Sequence, residues 1–394
     1  MSKKLSLGVE RKFFLIGTTF FWLSLYIYLP ILSPYVKHLT GSLALVGTVV
    51  GSYGFAQLLF RFPVGIWSDN KGKRKPFVIS GFALALVSCI GMALSPNAWF
   101  LILSRWTSGI AASMWVVFSV FYSSYFREDQ TARAMSQITF CIGIAQMLGT
   151  YSGGKIADAY GWLMPFYAGA GLAVLGALFM LPISDQASEN PVAFSWHKLL
   201  ALVSRRRLLA VSIITALSQF AVFATTFGFL PIYITDSAYI GASESQLGTL
   251  MAAMLLCQTI SMRLTGSFVA PRIGYRATVG IAYTAMAVVS IITPYIPSFR
   301  LLFLVQVLGA LGRGLAYPLL MGLAIQGIPK EEKATAMGFF QAVYAIGMFG
   351  GPFSAGFIGR AFGLRFVFIY SGIVYIIATI LGVLILPKRK NVDG

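Results

Sequence analysis

The sequence predicts an all-α membrane protein of twelve transmembrane helices arranged as two pseudo-symmetric six-helix bundles. Three observations point there: a composition too apolar for a soluble domain, twelve hydrophobic runs of spanning length, and an internal repeat with a 202-residue offset. Of 394 residues, 57% are hydrophobic, 14% aromatic and only 11% charged. Soluble domains are nearer half apolar and a quarter charged. Cys89, Cys141 and Cys257 all lie inside apolar runs, which argues against a disulfide framework or a metal cluster, and His38 and His197 lie outside those runs.

A bilayer core requires about 20 apolar residues per helix. Runs of that kind occupy 12–34, 45–67, 76–94, 98–118, 136–158, 163–182, 209–234, 247–269, 278–296, 300–327, 337–359 and 366–386. The first follows a basic segment but is longer than the apolar part of a signal peptide, and no small-residue cleavage site follows it, so it reads as a retained span. Pro30, Pro63, Pro231, Pro318 and Pro352 fall within runs. Spanning helices tolerate them because neighbouring helices satisfy the freed backbone groups.

The 30 Lys and Arg sort these runs. With the N-terminus placed in the cytoplasm, 21 fall in cytoplasmic segments, five in outer loops and four inside runs. The positive-inside rule then predicts a multi-pass protein of the cytoplasmic membrane with both termini cytoplasmic. The same partition accounts for the net charge of +18 without a nucleic-acid partner, since the cations mark loops and do not gather on one face. The expected partners are the lipid bilayer and a small-molecule substrate. No cofactor is implied, and nothing in the chain calls for more than a monomer.

Residues 131–166 align without gaps on 333–368, with eleven of 36 positions identical, among them Ala134/Ala336, Gly149/Gly351, Ser152/Ser354, Gly154/Gly356 and Gly161/Gly363. The offset also pairs Arg61 with Arg263, Gly72 with Gly274 and Arg74 with Arg276. The chain therefore divides into an N-terminal bundle (1–182), a polar, basic linker (183–208) and a C-terminal bundle (209–394). Two related bundles around a midplane site form a transporter plan.

The link between the second and third runs, GIWSDNKGKRK, holds five of the protein's few charges. Gly65, Asp69, Gly72, Lys73 and Arg74 resemble the G-x-x-x-D-R/K-x-G-R/K-R/K signature of the major facilitator superfamily, with Asn70 departing from the usual base. The second-half copy keeps Arg272, Gly274 and Arg276 but has Pro271 in place of the acid. The resemblance covers the whole chain. It implies a secondary transporter in which Asp69 acts as a conformational latch between the halves, with Arg133 as its candidate partner. Physically, an anion at helix ends is stabilised by guanidinium groups and by helix N-termini, and glycines allow close approach. Arg105 and Gly109 resemble a second family pattern, R-x-x-x-G. Gly149, Gly153 and Gly154 on the fifth span resemble the exporter pattern G-x-x-x-G-P-x-x-G-G, although Ala145 and Thr150 depart from it. Gly347, Gly351, Pro352 and Gly356 on the eleventh span form a fuller copy. Plain close packing of helices explains these glycines as well.

Charged groups inside a membrane usually face the bundle interior. Arg61, Arg105, Arg263 and Arg313 are the only in-span cations, and all 12 acids fall in loops or at span ends. In-span glutamines occur on the second, fifth, seventh, eighth, tenth and eleventh runs and on none of the third, sixth, ninth or twelfth, which the resemblance makes outer supports. At 1.5 Å per residue, Arg61 and Arg263 lie near the cytoplasmic surface, which favours snorkelling or latch support. Arg105 and Arg313 lie roughly 10 and 20 Å below the outer surface. The candidate substrate-binding set is therefore Arg105, Arg313, Tyr26, Trp106, Gln146, Gln219, Gln258, Gln306, Tyr317, Gln341 and Tyr344. Lacking intramembrane Asp, Glu or His, the chain is not expected to be an enzyme, and protons as the coupling ion lack an obvious buried site. The leading expectation is an exporter of a small organic molecule working by alternating access. Uptake or exchange of an anionic metabolite, or lipid flipping, are the alternatives.

Overall fold

The computed structural model describes residues 6–127, 130–185, 205–329 and 332–386, so most of the expected linker lies outside the described residues. Everything regular in it is helical. The first bundle contains α1 (Leu7–Tyr26), α2 (Leu29–Thr40), α3 (Leu43–Lys71), α4 (Lys75–Ala93), α5 (Ala98–Ser113), α6 (Trp115–Ser123), α7 (Thr131–Tyr160) and α8 (Met164–Met180). The second contains α9 (Arg206–Ala224), α10 (Leu230–Thr235), α11 (Glu244–Leu264), α12 (Ala270–Ile292), α13 (Phe299–Ile325), α14 (Lys333–Phe362) and α15 (Leu364–Ile385).

Among the described residues, ten helical stretches are long and apolar enough to cross a membrane. The count of twelve is reached only by adding α7, which carries Lys155 and Asp158 near its end, and α8, an apolar helix of 17 residues. Prolines mark the breaks. Pro30 opens α2 and Pro231 opens α10, each just after its span changes geometry. Proline fits a first helical turn because its missing N–H would be unpaired there anyway. A π-turn, Thr225–Phe229, joins α9 to α10, and another, Thr265–Val269, joins α11 to α12.

The repeat appears in the backbone. α7 and α14 begin and end 202 residues apart and close on Gly161 (φ 88°) and Gly363 (φ 92°). Gly72 (φ 62°) and Gly274 (φ 80°) form a second such pair, and at Gly274 the backbone leaves the helix to turn between spans. A left-handed φ is strained for residues with a Cβ, so these positions favour glycine. Neighbouring polar contacts repeat too. Lys75 Nζ donates to the Leu181 carbonyl and the Arg74 N–H to Asp185 Oδ1, while Arg276 Nε donates to the Leu386 carbonyl.

One expectation changes here. The second run, expected to end at 67, continues as helix: α3 extends to Lys71, and only Gly72–Arg74 of the link turns. Gly65 is therefore a helical residue. A Cβ there would touch Val116 Cγ1 at 3.4 Å, so this glycine serves packing against α6, and the turn belongs to Gly72. Lys71 ends a helix whose C-terminus carries partial negative charge, which favours a cation there.

Aromatic side chains fill the first bundle. Phe14, Phe21, Phe82, Phe118 and Phe121 are fully buried, with Phe21 stacked on Phe118 at 4.8 Å and edge-on to Phe82 at 5.2 Å. Exposed aliphatics such as Val87, Leu178, Ile281 and Leu384 coat α4, α8, α12 and α15, as lipid-facing surfaces require.

At the end away from the chain termini, here the far end, the two bundles are locked. Lys37 pairs with Asp236, Trp162 Nε1 donates to Glu244 Oε1 at 2.9 Å, and Ser33 Oγ donates to the Phe227 carbonyl at 3.2 Å. α11 is positioned for this by a reciprocal cap, Ser243 with Gln246, which puts Glu244 in its first turn. The backbones of α7 and α11 also touch: a Cβ on Gly154 would lie 2.4 Å from the Glu244 carbonyl oxygen, and one on Gly248 2.7 Å from that of Thr150. α3 and α14 meet similarly, Gly47 against Pro352 and Gly356 against Leu43 and Ala44.

Candidate functional site

Between the bundles lies a cavity of about 320 Å³. Trp22 and Tyr26 come from α1, Tyr53, Gln57 and Arg61 from α3, Trp115 from α6, and Thr139 and Gln146 from α7. The second bundle supplies Ser218 and Gln219 (α9), Phe227 (π-turn), Gln258 and Thr259 (α11), Arg313 and Tyr317 (α13) and Tyr344 (α14). None of its lining residues comes from α4, α8, α12 or α15. Local helical spacing explains the lining. Tyr53, Gln57 and Arg61 are four apart, as are Trp22 and Tyr26, and Arg313 and Tyr317, so each set presents one face.

Two arginines reach the cavity, one from each bundle. Arg61 is 7% exposed; its Nη1 donates to Tyr344 Oη at 2.7 Å across the bundle interface. Arg313 is half-buried, and its Nη2 donates to Thr226 Oγ1 at 2.7 Å. The π-turn places that hydroxyl, and π-turns in helices recur at functional positions. Both guanidinium groups keep a buried Nε without a protein partner, as do Trp22 Nε1 and Gln57 Nε2. Unpartnered buried donors are costly in a low-dielectric interior. No carboxylate lines the cavity among the described residues. The site thus presents aromatic walls and hydrogen-bond donors with a positive potential. It can hold a flat or amphipathic molecule by stacking and receive an acceptor-rich or anionic group between Arg61 and Arg313.

Of the sequence-derived set, Tyr26, Gln146, Gln219, Gln258, Arg313, Tyr317 and Tyr344 are brought together in this cavity. Arg105 lies beside it, 3% exposed, donating to Tyr28 Oη at 2.9 Å and Ser108 Oγ at 3.3 Å, with its guanidinium 4.3 Å from the Tyr53 ring centre. It borders only a void of about 10 Å³ shared with Tyr26, Tyr53 and Phe227. Trp106 turns to Phe60, edge-on at 5.3 Å, and Gln306 Nε2 donates to Thr293 Oγ1 at 2.8 Å. Neither these two nor Gln341 lines the cavity. Arg61, expected near the cytoplasmic surface for snorkelling or latch support, lines the cavity. Its four-residue spacing from Gln57 was the available signal. Arg263 is exposed and lies outside the lining.

The latch residues divide. The Asp69 side chain lies outside what the structure describes. Arg74 caps the start of α4, where its N–H and that of Lys75 donate to Asp185 Oδ1 at 3.0 and 3.2 Å. Arg133 is exposed beside Arg11 and Lys12. The packing glycines lie at crossings. Gly149 and Gly153 meet Tyr26 and Ile27 at the end of α1, and Gly347 and Gly351 meet Ala216 and Phe220 of α9. Small residues let helices approach this closely.

A family model described as Major Facilitator Superfamily matches residues 14–240 and 236–393. The inner membrane transport protein YajR of Escherichia coli is 29% identical over 265 residues, 64% of this chain and 56% of the relative's own length. An uncharacterised MFS-type transporter of Methanocaldococcus jannaschii is 25% identical over 342 residues, covering 84% of this chain and 87% of that one. Among solved structures, a bacterial homologue of the human lysosomal transporter Spinster, in an inward-facing and unoccupied conformation, superposes with a TM-score of 0.78. It covers 95% of this chain and 96% of the other at 14% identity, a likeness of fold.

Proposed function

Because this chain belongs to the major facilitator superfamily, whose members are membrane transporters and not enzymes, we propose that it carries a small organic anion across the cytoplasmic membrane by alternating access. The observation that carries the substrate class is the pair Arg61 and Arg313, one from each bundle, facing a cavity that no described carboxylate lines. A cation there would be repelled by two guanidinium groups with no counter-charge. An anion would satisfy their unpartnered Nε donors and pull the bundles together around itself.

Alternating access is supported by the inter-bundle contacts that close the far end. With the basic loops assigned to the cytoplasm, the locked far end is extracellular. Residues 1–182 and 209–394 would rock against each other about the glycine crossings, and the Asp69, Lys73, Arg74 and Arg133 region would secure the cytoplasmic end when it closes. The direction we favour is export. It rests on the glycine and proline pattern of α7 and α14, with backbone contacts at Gly154 and Gly356 positioned to act as pivots.

A ligand screen tests the substrate class. Ligands that bind the folded protein raise its apparent melting temperature by mass action. Aromatic and aliphatic carboxylates and organic phosphates should stabilise the purified protein, and Arg313→Gln should reduce the shift. Stabilisation by organic cations, with none from any anion, would overturn the reading.

A further inference from the structure

A second, smaller cavity of about 240 Å³ opens nearer the chain termini between α1, α6 and α7, lined by Arg11, Lys12, Arg133, Gln137, Tyr122 and Phe126, with Gln130 and Leu15 completing it. It shares no residue with the central cavity. Yet helical spacing puts it on the same faces. Leu15 is seven residues from Trp22, and Tyr122 seven from Trp115. That is two turns, or about 10 Å, from the central cavity towards the terminal end.

We propose that this cavity is an oxyanion-binding site at the mouth of the transport path, taking a phosphate or carboxylate group. Three cations converge on it, and among the described residues no carboxylate lines it. The Arg11 guanidinium is held in place: Nη2 donates to the Tyr125 carbonyl, and the group lies over the Phe126 ring, 4.0 Å from its centre. Its Nε is buried without a protein partner. Tyr122 Oη donates to Gln137 Oε1 at 2.8 Å, which fixes the amide at the cavity wall. The nearest described acid on the same helix, Glu10, is buried elsewhere and accepts from the Ser184 N–H. Arg11 is thus pre-oriented by its ring and carbonyl contacts, while Lys12 and Arg133 are exposed and free to close over an anion. Guanidinium groups suit phosphate and carboxylate because two parallel N–H donors match two oxygens. The apolar wall of Leu15 and Phe126 accommodates an organic substituent on that group. The site stands on its own residues, so it holds whatever the central cavity carries.

The test is calorimetric titration of the full-length protein with inorganic phosphate in lipid-free non-ionic detergent, repeated in nanodiscs of phosphatidylcholine with and without phosphatidate. Phosphate should bind in detergent, weaken with added salt, and weaken about tenfold or more in Arg133→Gln and in Arg11→Gln. Arg133 is exposed, so its variant keeps the fold even if Arg11→Gln does not. The phosphate binding that depends on Arg11 and Arg133 should persist in Arg313→Gln. If phosphatidate displaces phosphate, the site holds the lipid headgroup; if it does not, the site serves free oxyanions. Undiminished binding in Arg133→Gln, binding lost only in Arg313→Gln, or no response to either phosphate or phosphatidate would overturn the proposal.

Discussion

Substituting Gly154 by Ala should open the far end without unfolding the protein. A Cβ at this position would lie 2.4 Å from the Glu244 carbonyl oxygen and 2.7 Å from Gly248 Cα, both backbone atoms of the opposite bundle. Neither can rotate away, so reaching an ordinary contact of 3.4 Å requires α7 and α11 to separate by about 1 Å at the crossing, an overpacking strain of about 1–3 kcal/mol. The strain exists only while the far end is closed, because the contact joins the two bundles. It should therefore shift the closed-to-open ratio by about 5- to 150-fold. Gly153 supplies the control: its Cβ would lie 1.6 Å from the Ile27 carbonyl oxygen, inside the same bundle, so Gly153→Ala should lower the melting temperature without favouring the open form. Spin labels at Tyr160 and Phe362, exposed by 74% and 67% and ending the equivalent helices α7 and α14, would report the far-end distance. The native cysteines would first be replaced. A longer-distance population should appear in Gly154→Ala. A distance distribution identical to wild type, in a variant that remains folded, would refute the pivot.

Two further outcomes follow from individual contacts. The hydrogen bond from Lys37 holds the Asp236 carboxyl below its usual range. A carboxylate depressed in the closed form stabilises that form above its ordinary pKa of 3.8 and loses the contribution only as pH falls through the depressed value. The far-end distance should thus be constant from about pH 5 to 8, while Asp236→Asn, removing a partly exposed pair worth about 0.2–1 kcal/mol, should raise the open fraction up to about fivefold. Arg105→Gln removes charge-assisted hydrogen bonds and a desolvated ring contact worth together about 2–4 kcal/mol; thermal unfolding should register that loss, whereas Arg313→Gln should weaken ligand binding with little change in melting temperature.

Much of this architecture was legible in the sequence because the bilayer constrains it. Run length follows from the order of apolar residues along the chain, and the repeat survived as glycines at positions where the backbone requires them: Gly72 and Gly274, Gly161 and Gly363. The site was only partly legible. Depth along a helix follows from counting residues, but the direction a side chain faces depends on packing with other helices. Arg105 and Trp106 are adjacent and point apart, one onto Tyr53 and Tyr28, the other onto Phe60. Gln306, seven residues from Arg313, is consumed by Thr293. Depth made Arg61 look like a surface-seeking residue, while its partner, Tyr344, is 283 positions away, a pairing only the fold creates. The helical extension of α3 through Lys71 was also hidden, because charged residues past the apolar run read as a link between spans.

The central claim is that two arginines, one from each bundle and both lining one cavity, bind an anionic cargo. Counterflow in proteoliposomes preloaded with an organic anion that the ligand screen identifies tests it most directly. Wild-type protein should accumulate the labelled anion, and Arg61→Gln and Arg313→Gln should each reduce the rate at least about tenfold, with protein recovery unchanged. Equal rates in all three proteins, or counterflow of a neutral or cationic compound that no anion competes with, would contradict it.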